Sequence, residues 1–298
     1  MRPKFSIVIA VAPYRDAEVF NSLKNLNYDK NKYEIIVKKG PNPSKNRNYG
    51  IKKANGSIIA FIDDDAIVHK DLLKNTESFF NKYNVDIVGG PQLTPRNDKF
   101  FAKLFGSAIE SYWCSYKMAN RYKKARLNLD ADELSLTSAN LFVKKNVFKK
   151  ISGFDTRLWP GEDPEFFSRA KEAGFKIAYS PDLVIYHRRR GNLFSLLKQH
   201  YNYGNVRLKK EWINKENVNF VFIIPAIFSL YVIALPFLLL FSKGFFFPIK
   251  LHLIIDIIVG LYIALKKNLL YLPFLPIIFF LVHFSYGLGM LVSLIERK

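Results

Sequence analysis

Residues 58–65 read IIAFIDDD, a short apolar run that is followed at once by three carboxylates. Ile58–Ile62 has the length and the β-branched composition of a buried strand. Positions two apart on an extended chain point the same way, so Asp63 and Asp65 can converge on one ligand. Close carboxylates repel each other unless a proton or a cation compensates them, and hard oxygen donors suit Mg²⁺ or Mn²⁺. The alternative is a solvated turn that caps the next helix, but at the end of a central parallel strand the metal site is favoured.

The segments around this strand alternate between strand and helix patterns. We predict strands at Phe5–Ala12, Glu34–Val37, Ile58–Ile62 and Val85–Val88, with helical patterns between them at 19–26, 44–54 and 72–80. This order is typical of an α/β fold with a Rossmann-like parallel sheet that is covered on both faces. Ligands of such sheets bind beyond the carboxyl ends of the strands. The sequence has no Gly-x-Gly-x-x-Gly turn and no P-loop, which argues against a dinucleotide-dependent oxidoreductase and a P-loop ATPase.

Charge is distributed unevenly along the 298 residues. The chain has 45 Lys and Arg against 25 Asp and Glu, a net charge of +20, which alone is typical of nucleic-acid binders. Only six basic and two acidic residues lie beyond position 217, so most of the net charge belongs to the preceding part. Because 49% of the residues are hydrophobic, a disordered chain is excluded.

The C-terminal part, 218–298, is predicted to be a transmembrane region of about three helices, at 218–241, 245–265 and 269–295. About 20 apolar residues suffice to cross the hydrocarbon core of a bilayer. The first and third segments carry no charge, and the third is long enough to tilt or protrude. The middle segment contains Lys250, His252 and Asp256, so a re-entrant or interfacial segment is the alternative to a full crossing.

Basic residues near the ends of these segments predict their orientation. Lys209, Lys210 and Lys215 precede the first segment, and Lys266-Lys267 follows the second. The preference of basic residues for the cytoplasmic side predicts a multi-pass protein of the cell membrane with a cytoplasmic front domain, although the tail Arg297-Lys298 would then lie outside. We therefore divide the chain into a front domain at 1–205, a basic juxtamembrane linker at 206–217 and the transmembrane region.

Three further features bear on location. Phe5–Ala12, with Arg2 and Lys4, loosely resembles a signal peptide, but the strand–helix units that follow favour a strand. Cys114 is the only cysteine, so no intrachain disulfide is possible and a reducing compartment is expected. Residues 101–116 place apolar side chains at helical spacing; core packing is favoured, and an interfacial helix is the alternative.

Two more polar groups stand at the ends of predicted elements. Asp163 precedes a helical pattern at Glu165–Ala173, where it is either an ordinary N-cap or a general base that the helix N-terminus keeps ionised. His187 ends a strand-like segment and precedes three arginines. A lone histidine is usually structural and three arginines are usually solvated or contact anionic lipid, yet together they suit a metal-bound diphosphate.

In the order and spacing of its motifs, the sequence resembles the family-two glycosyltransferases of GT-A fold that are attached to membranes. The resemblance covers roughly residues 5–205. The segments that carry it are SIVI at 6–9, YEIIV at 33–37, RNYGI at 47–51, AFIDDD at 60–65, SANLF at 138–142, GFD at 153–155, ED at 162–163, AG at 173–174 and His187.

The resemblance implies a Rossmann-like GT-A nucleotide-sugar-binding domain and a glycosyltransferase. The implied reaction is an inverting, metal-dependent transfer of a sugar from a nucleotide-sugar donor to a membrane-associated acceptor, a polyprenyl-phosphate or a lipid-linked glycan. The implied cofactor is Mg²⁺ or Mn²⁺, and nucleic acid is not an expected partner. The implied site residues are Asp163 as catalytic base; Glu162 and Trp159 on the acceptor side; Pro13, Tyr14, Lys39, Arg47, Asp63, Asp64 and Arg188 at the nucleotide or diphosphate; and Asp65, Asp63 and His187 at the metal.

The sequence departs from the family pattern in two places. The Pro-x-Tyr-Asn segment after the first strand is replaced by Pro13-Tyr14-Arg15, and the aspartate that usually ends the second strand is replaced by Lys38-Lys39. Both changes fall where the family reads the base. The alternative function is therefore a catalytically silent, membrane-tethered binding or scaffold protein on the same fold.

Overall fold

The structure is a computed structural model that describes residues 3–214 and 219–296. Arg2, Lys215, Arg297 and Lys298, on which some of the predictions above rest, lie outside the described residues. The chain divides into two compact units. The first falls within Met1–Arg96 and Lys117–Arg188, and the second falls within Asn97–Tyr116 and Arg189–Lys298.

The described residues form short strands in the first unit and helices in both units. The strands are β1 (Phe5–Val11), β2 (Tyr33–Lys39), β3 (Ile58–Ile62), β4 (Ala66–Val68), β5 (Ile87–Gly89), β6 (Gln92–Leu93), β7 (Asn140–Lys144), β8 (Ile177–Tyr179) and β9 (Ile185–His187). The α-helices are α1 (Val19–Leu23), α2 (Pro43–Lys53), α3 (Leu72–Lys82), α4 (Phe100–Ile109), α5 (Tyr112–Ser115), α6 (Lys145–Ile151), α7 (Glu162–Glu172), α8 (Leu193–Asn214), α9 (Phe220–Leu238), α10 (Phe247–Lys266) and α11 (Leu275–Ile295).

The first unit is built on a six-stranded sheet with the order β2-β1-β3-β7-β5-β8. β1 is parallel to β2 and β3, as the sequence predicts. β7, which was not among the predicted strands, runs antiparallel to both of its neighbours, β3 and β5, so that the four predicted strands all run in the same direction. Its direction is reversed because the chain that leaves β5 at the ligand-binding edge also re-enters the sheet from that edge. The six-stranded sheet is therefore mixed, with both parallel and antiparallel pairs, within an α/β fold.

The central strands are covered on both faces. Every residue of β3 is buried, and its side chains alternate between two apolar clusters. Ala60 and Ile62 belong to one cluster with Ile7 of β1, whereas Ile59 and Phe61 belong to the other with Val8. Burial on both faces explains why this strand has no polar position until Asp63.

A second, small sheet with the order β4-β9-β6 lies in the same unit. β4 starts directly after Asp65 and pairs antiparallel with β9. In this register Ala66 is opposite His187, the last residue of β9. The short sheet thereby brings His187 to the carboxylates that follow β3.

The second unit is helical. Three of its helices are long and apolar enough to cross a membrane: Phe220–Leu238, Lys243–Lys266 and Leu275–Ile295. The third begins six residues later than predicted, because Leu269–Tyr271 forms a 3-10 turn and Pro276 occupies the first turn of the helix. α8 runs through position 205, the predicted end of the front domain, without interruption.

These helices pack closely through small residues. A Cβ atom at Gly287 of α11 would lie 1.8 Å from the carbonyl oxygen of Pro225 in α9, so only glycine allows this approach. Small residues at helix contacts are the usual means of association inside a membrane, where apolar burial provides no driving force. The segment predicted as an apolar stripe, 101–116, forms α4 and α5 within this unit.

Candidate active site

The carboxylates of Asp63 and Asp65 and the imidazole of His187 meet beyond the carboxyl end of β3. His187 Nε2 lies 2.9 Å from Asp65 Oδ1 and 3.7 Å from Asp63 Oδ2. One ligand atom from each of the three residues lies within 4.8 Å of the others. His187 Nδ1 lies 3.0 Å from the carbonyl oxygen of Arg188, which orients the ring. The three residues predicted at the metal are therefore brought together.

The electrostatics of this group suit a cation. Burial alone lowers the pKa of His187, but the carboxylates of Asp63 and Asp65 outweigh it and raise that pKa to about 9. Burial alone raises the pKa of Asp65, but His187 and Arg15 lower it to about 2. Two carboxylates, together with an imidazole that releases its proton when an ion binds, form an oxygen-rich donor set that fits Mn²⁺ or Mg²⁺.

Asp64, in the turn after β3, contacts the segment that follows β1. Its Oδ2 accepts a hydrogen bond from the backbone N–H of Ala12 at 3.2 Å. Arg15 contacts two of the aspartates, with Nη1 3.3 Å from Asp64 Oδ1 and 2.9 Å from Asp65 Oδ2. The segment after β1 is thus tied to the end of β3. Arg15 was not among the predicted site residues, although it lies in the segment where the sequence departs from the family pattern.

Arg47 of α2 joins two parts of the site. Its Nη1 donates to Glu162 Oε1 at 2.8 Å, and its Nη2 donates to Asp63 Oδ1 at 3.2 Å. Arg47 and Glu162 are both buried. Burial raises the pKa of Glu162 to about 7, and the neighbouring carboxylate of Asp163 adds to this rise against the opposing charge of Arg47. The planar guanidinium has several N–H donors in a fixed arrangement, so Arg47 can bind two carboxylates at once, which the single ammonium of a lysine would not do with the same geometry.

Asp163 lies in the first turn of α7 and presents one unpaired oxygen. The helix starts at Glu162 with Gly161 as N-cap, so the N-cap alternative for Asp163 is wrong. Asp163 Oδ2 accepts a hydrogen bond from the backbone N–H of Ser138 at 2.9 Å. Its Oδ1 is buried and has no hydrogen-bond partner among the described residues. This oxygen is therefore open to a hydrogen-bond donor from a ligand.

The loop before α7 is held by α2. Asn48 donates through Nδ2 to the carbonyl oxygen of Phe154 at 2.8 Å and accepts the N–H of Phe154 through Oδ1 at 2.8 Å. Ser44 donates to the carbonyl oxygen of Leu158 at 3.4 Å. A Cβ atom at Gly153 would lie 2.1 Å from Asn48 Oδ1, which explains a glycine at this position. α2 thereby positions both Arg47 and the start of α7.

Residues 1–202 match the family model described as glycosyltransferase like family 2. The chain belongs to this family. The expectations of a GT-A-like fold and of glycosyltransferase activity are thereby confirmed. Membership also supports the expectation of a nucleotide-sugar donor.

Individual relatives agree with this assignment. The chain is 25% identical over 252 residues to the glycosyltransferase AglE of Haloferax volcanii, a match that covers 74% of this chain and 78% of AglE. It is 26% identical over 176 residues to the O-antigen chain rhamnosyltransferase WbaN of Salmonella anatum, covering 57% of this chain and 53% of WbaN.

A solved structure shares the fold. The mannosyltransferase PcManGT from Pyrobaculum calidifontis, determined in complex with GDP-Man and Mn²⁺, superposes with a TM-score of 0.55 at 16% identity. The superposition covers 100% of this chain and 89% of that chain.

The remaining residues that the family resemblance placed in this glycosyltransferase site lie nearer the surface. Tyr14 and Lys39 are exposed, and Pro13 is half-buried. Trp159 has 60% of its surface exposed in the loop that α2 holds. The side chain of Arg188 reaches Glu18, with Nε 3.4 Å from Oε2. The structure therefore brings together the aspartates, Arg47, Glu162, Asp163 and His187, whereas these five residues lie nearer the surface.

Proposed function

We propose that this protein is an inverting, metal-dependent glycosyltransferase that moves a sugar from a nucleotide-sugar donor to a membrane-associated acceptor. The observation that carries the proposal is the buried, unpaired Oδ1 of Asp163. The backbone N–H of Ser138 donates to Asp163, and the carbonyl oxygen of the next residue, Ala139, accepts the N–H of Asp63 at 3.4 Å. The proposed proton acceptor, Asp163, and Asp63 of the candidate cation site are therefore both held by the backbone of Ser138-Ala139.

Each residue of the site has a proposed part. Asp163 takes the proton of an acceptor hydroxyl, whose oxygen attacks the anomeric carbon while the bond from that carbon to the diphosphate breaks. Attack on the face opposite the leaving group inverts the anomeric configuration. Asp63, Asp65 and His187 hold the ion, which when bound neutralises charge on the diphosphate. Arg47 positions Glu162 on the acceptor side, and Pro13, Tyr14, Lys39 and Arg188 are proposed around the nucleotide.

The apolar helices and the relatives support the proposed class of acceptor. Three helices able to cross a membrane suit an acceptor that is itself in the bilayer, a polyprenyl-phosphate or a lipid-linked glycan. WbaN is named for O-antigen chains, and GgaB of Bacillus subtilis, 25% identical over 188 residues and matched over 18% of its length, is named for minor teichoic acid biosynthesis. We propose that 1–205 is the catalytic domain, joined by 206–217 to the membrane region.

The reaction is tested with the full chain, purified in detergent. It is offered a panel of nucleotide sugars, Mg²⁺ or Mn²⁺, and either a polyprenyl-phosphate or a lipid-linked glycan, and the lipid products are analysed by mass spectrometry. A sugar-bearing lipid with inverted anomeric configuration by NMR is expected. Transfer to soluble acceptors alone would contradict the lipid acceptor, and a product of retained configuration would contradict inversion.

The cytoplasmic orientation of the catalytic domain is tested separately. In a chain without Cys114, single cysteines replace Lys24 in the first unit and Ser242 in the loop after the first apolar helix; both positions are exposed. We expect a membrane-impermeant maleimide to label position 242 on intact cells and position 24 only after the membrane is opened. The reverse pattern would contradict the orientation.

A further inference from the structure

A second group of residues of metal-ligating types lies within the apolar helices of the second unit. His252 and Asp256 stand four positions apart on one face of α10, and His283 faces them from α11. One ligand atom from each lies within 4.8 Å of the others. Asp256 is completely buried. A buried ionisable group inside an apolar span is expensive and commonly marks a functional site.

Two of the three spacings within this group match those of ligands around a tetrahedral metal ion. His252 Nε2 lies 3.4 Å from Asp256 Oδ2, and His283 Nδ1 lies 3.4 Å from His252 Nε2. Both distances are longer than an ordinary hydrogen bond. In a tetrahedron with bonds of about 2.0–2.1 Å to the metal, neighbouring ligand atoms stand about 3.4 Å apart. Asp256 Oδ2 has no hydrogen-bond partner among the described residues, so this oxygen is available to an ion.

Trp113 of α5 contacts the side chains of Asp256 and His283 and orients both of them. Its indole Nε1 donates to Asp256 Oδ1 at 2.7 Å, which leaves Oδ2 for the ion. Its carbonyl oxygen lies 2.9 Å from His283 Nε2. A carbonyl only accepts, so Nε2 carries the proton and Nδ1 presents its lone pair to the group. Hydrogen bonds of this kind, made to ligand atoms that do not face the metal, are characteristic of metal sites in proteins.

We propose that His252, Asp256 and His283 bind a divalent transition metal of the zinc type. Two imidazoles and a carboxylate suit Zn²⁺ better than the oxygen-rich set at Asp63 and Asp65 does. The cation compensates the buried carboxylate and joins α10, α11 and α5 within the second unit. Three protein ligands leave a fourth position, which a water molecule fills. The site is independent of the proposed transfer reaction.

Co²⁺ is the probe for this site. The full chain, purified in detergent and stripped with a chelator, is titrated with Co²⁺ in the visible range. We expect the strong absorption of tetrahedral Co²⁺, saturating at one ion per chain and lost on addition of Zn²⁺. Octahedral Co²⁺ on the oxygen-rich group absorbs only weakly, so the two sites are distinguished. Absence of the strong band from the wild-type chain would overturn the proposal and identify Asp256 as a protonated packing group.

Variants assign the band to residues. Asp256→Asn and His283→Gln are expected to abolish it, whereas His69→Gln, a change of an exposed histidine next to an aspartate in the first unit, leaves it intact. Trp113→Phe keeps the ring but removes the indole donor, so we expect Co²⁺ affinity to fall about 10- to 100-fold. The Trp113 variant retains all three ligands and so remains informative where a ligand variant fails to fold. A band that persists in Asp256→Asn with His283→Gln would overturn the assignment.

Discussion

Arg47 and Glu162 lie 115 positions apart in the chain, yet Arg47 Nη1 donates to Glu162 Oε1 at 2.8 Å in a buried site. The second arm of the same guanidinium reaches Asp63 at 3.2 Å. One side chain thus joins the end of β3 to the start of α7. Any change that breaks the fork disturbs the candidate cation site and the candidate base together.

Replacing Arg47 is expected to affect stability as well as activity. Arg47→Met leaves the buried carboxylate of Glu162 unpaired, so the free energy of unfolding falls by about 3–5 kcal/mol. Denaturant titration of the purified chain measures this. Arg157→Met is the matched control, because Arg157 is exposed and solvent screens its pair with Asp155. Equal losses in the two variants would show that the buried fork has no special role.

Asp163→Asn tests the base. Asparagine keeps an oxygen that can accept the N–H of Ser138 but cannot take up a proton, so we expect kcat to fall about 10²- to 10⁴-fold with unchanged affinity for the nucleotide sugar. Steady-state kinetics and calorimetric titration with the donor give the two quantities. Glu172→Gln, an exposed change in the same helix, serves as the control. Turnover by Asp163→Asn at the wild-type rate would rule out this assignment.

Glu162 predicts a pH dependence of stability. Burial, with the charge of Asp163, raises its pKa in the folded protein from 4.5 to about 7. The folded state therefore binds more protons than the unfolded state between these values, and stability falls as pH rises through this range. The contribution is fully present below about pH 4.5 and lost above about pH 7.

Thermal unfolding of wild type and Glu162→Gln between pH 4 and pH 8 measures the effect. Relative to the variant, the wild-type Tm is expected to decline as pH rises, because glutamine has no carboxyl proton to lose. A constant difference in Tm between the two proteins across this range would show that Glu162 does not titrate there.

His187 predicts a graded response to metal. His187→Ala removes one of three candidate ligands, so we expect half-maximal activity to require a higher Mn²⁺ concentration, with partial recovery at excess ion. Asp65→Asn weakens the group further, because it removes a charge as well as a ligand. Activity of each variant is measured against Mn²⁺ after chelation, with His69→Ala as the control. Full wild-type activity after chelation would argue against metal dependence.

The sequence determines those parts of this protein that depend on neighbours a few positions away. The apolar, β-branched composition of Ile58–Ile62 was sufficient to predict β3, and the carboxylates that follow it directly were sufficient to predict a candidate cation site at the end of this strand. The three apolar helices were likewise predictable from segment length and composition. Such patterns are local because burial of a strand or helix depends on the residues within that element.

Only the tertiary structure decides which distant polar groups meet. The pairing of β4 with β9 delivers His187 to Asp65, α2 brings Arg47 to Glu162, and α5 brings Trp113 to Asp256 across 143 positions. The same packing reversed β7 and decided between the N-cap and other roles of Asp163, whose Oδ2 accepts the N–H of Ser138 and whose buried Oδ1 has no hydrogen-bond partner among the described residues. These contacts depend on how whole elements pack, and a buried polar group accepts whichever partner the packing brings within hydrogen-bond distance.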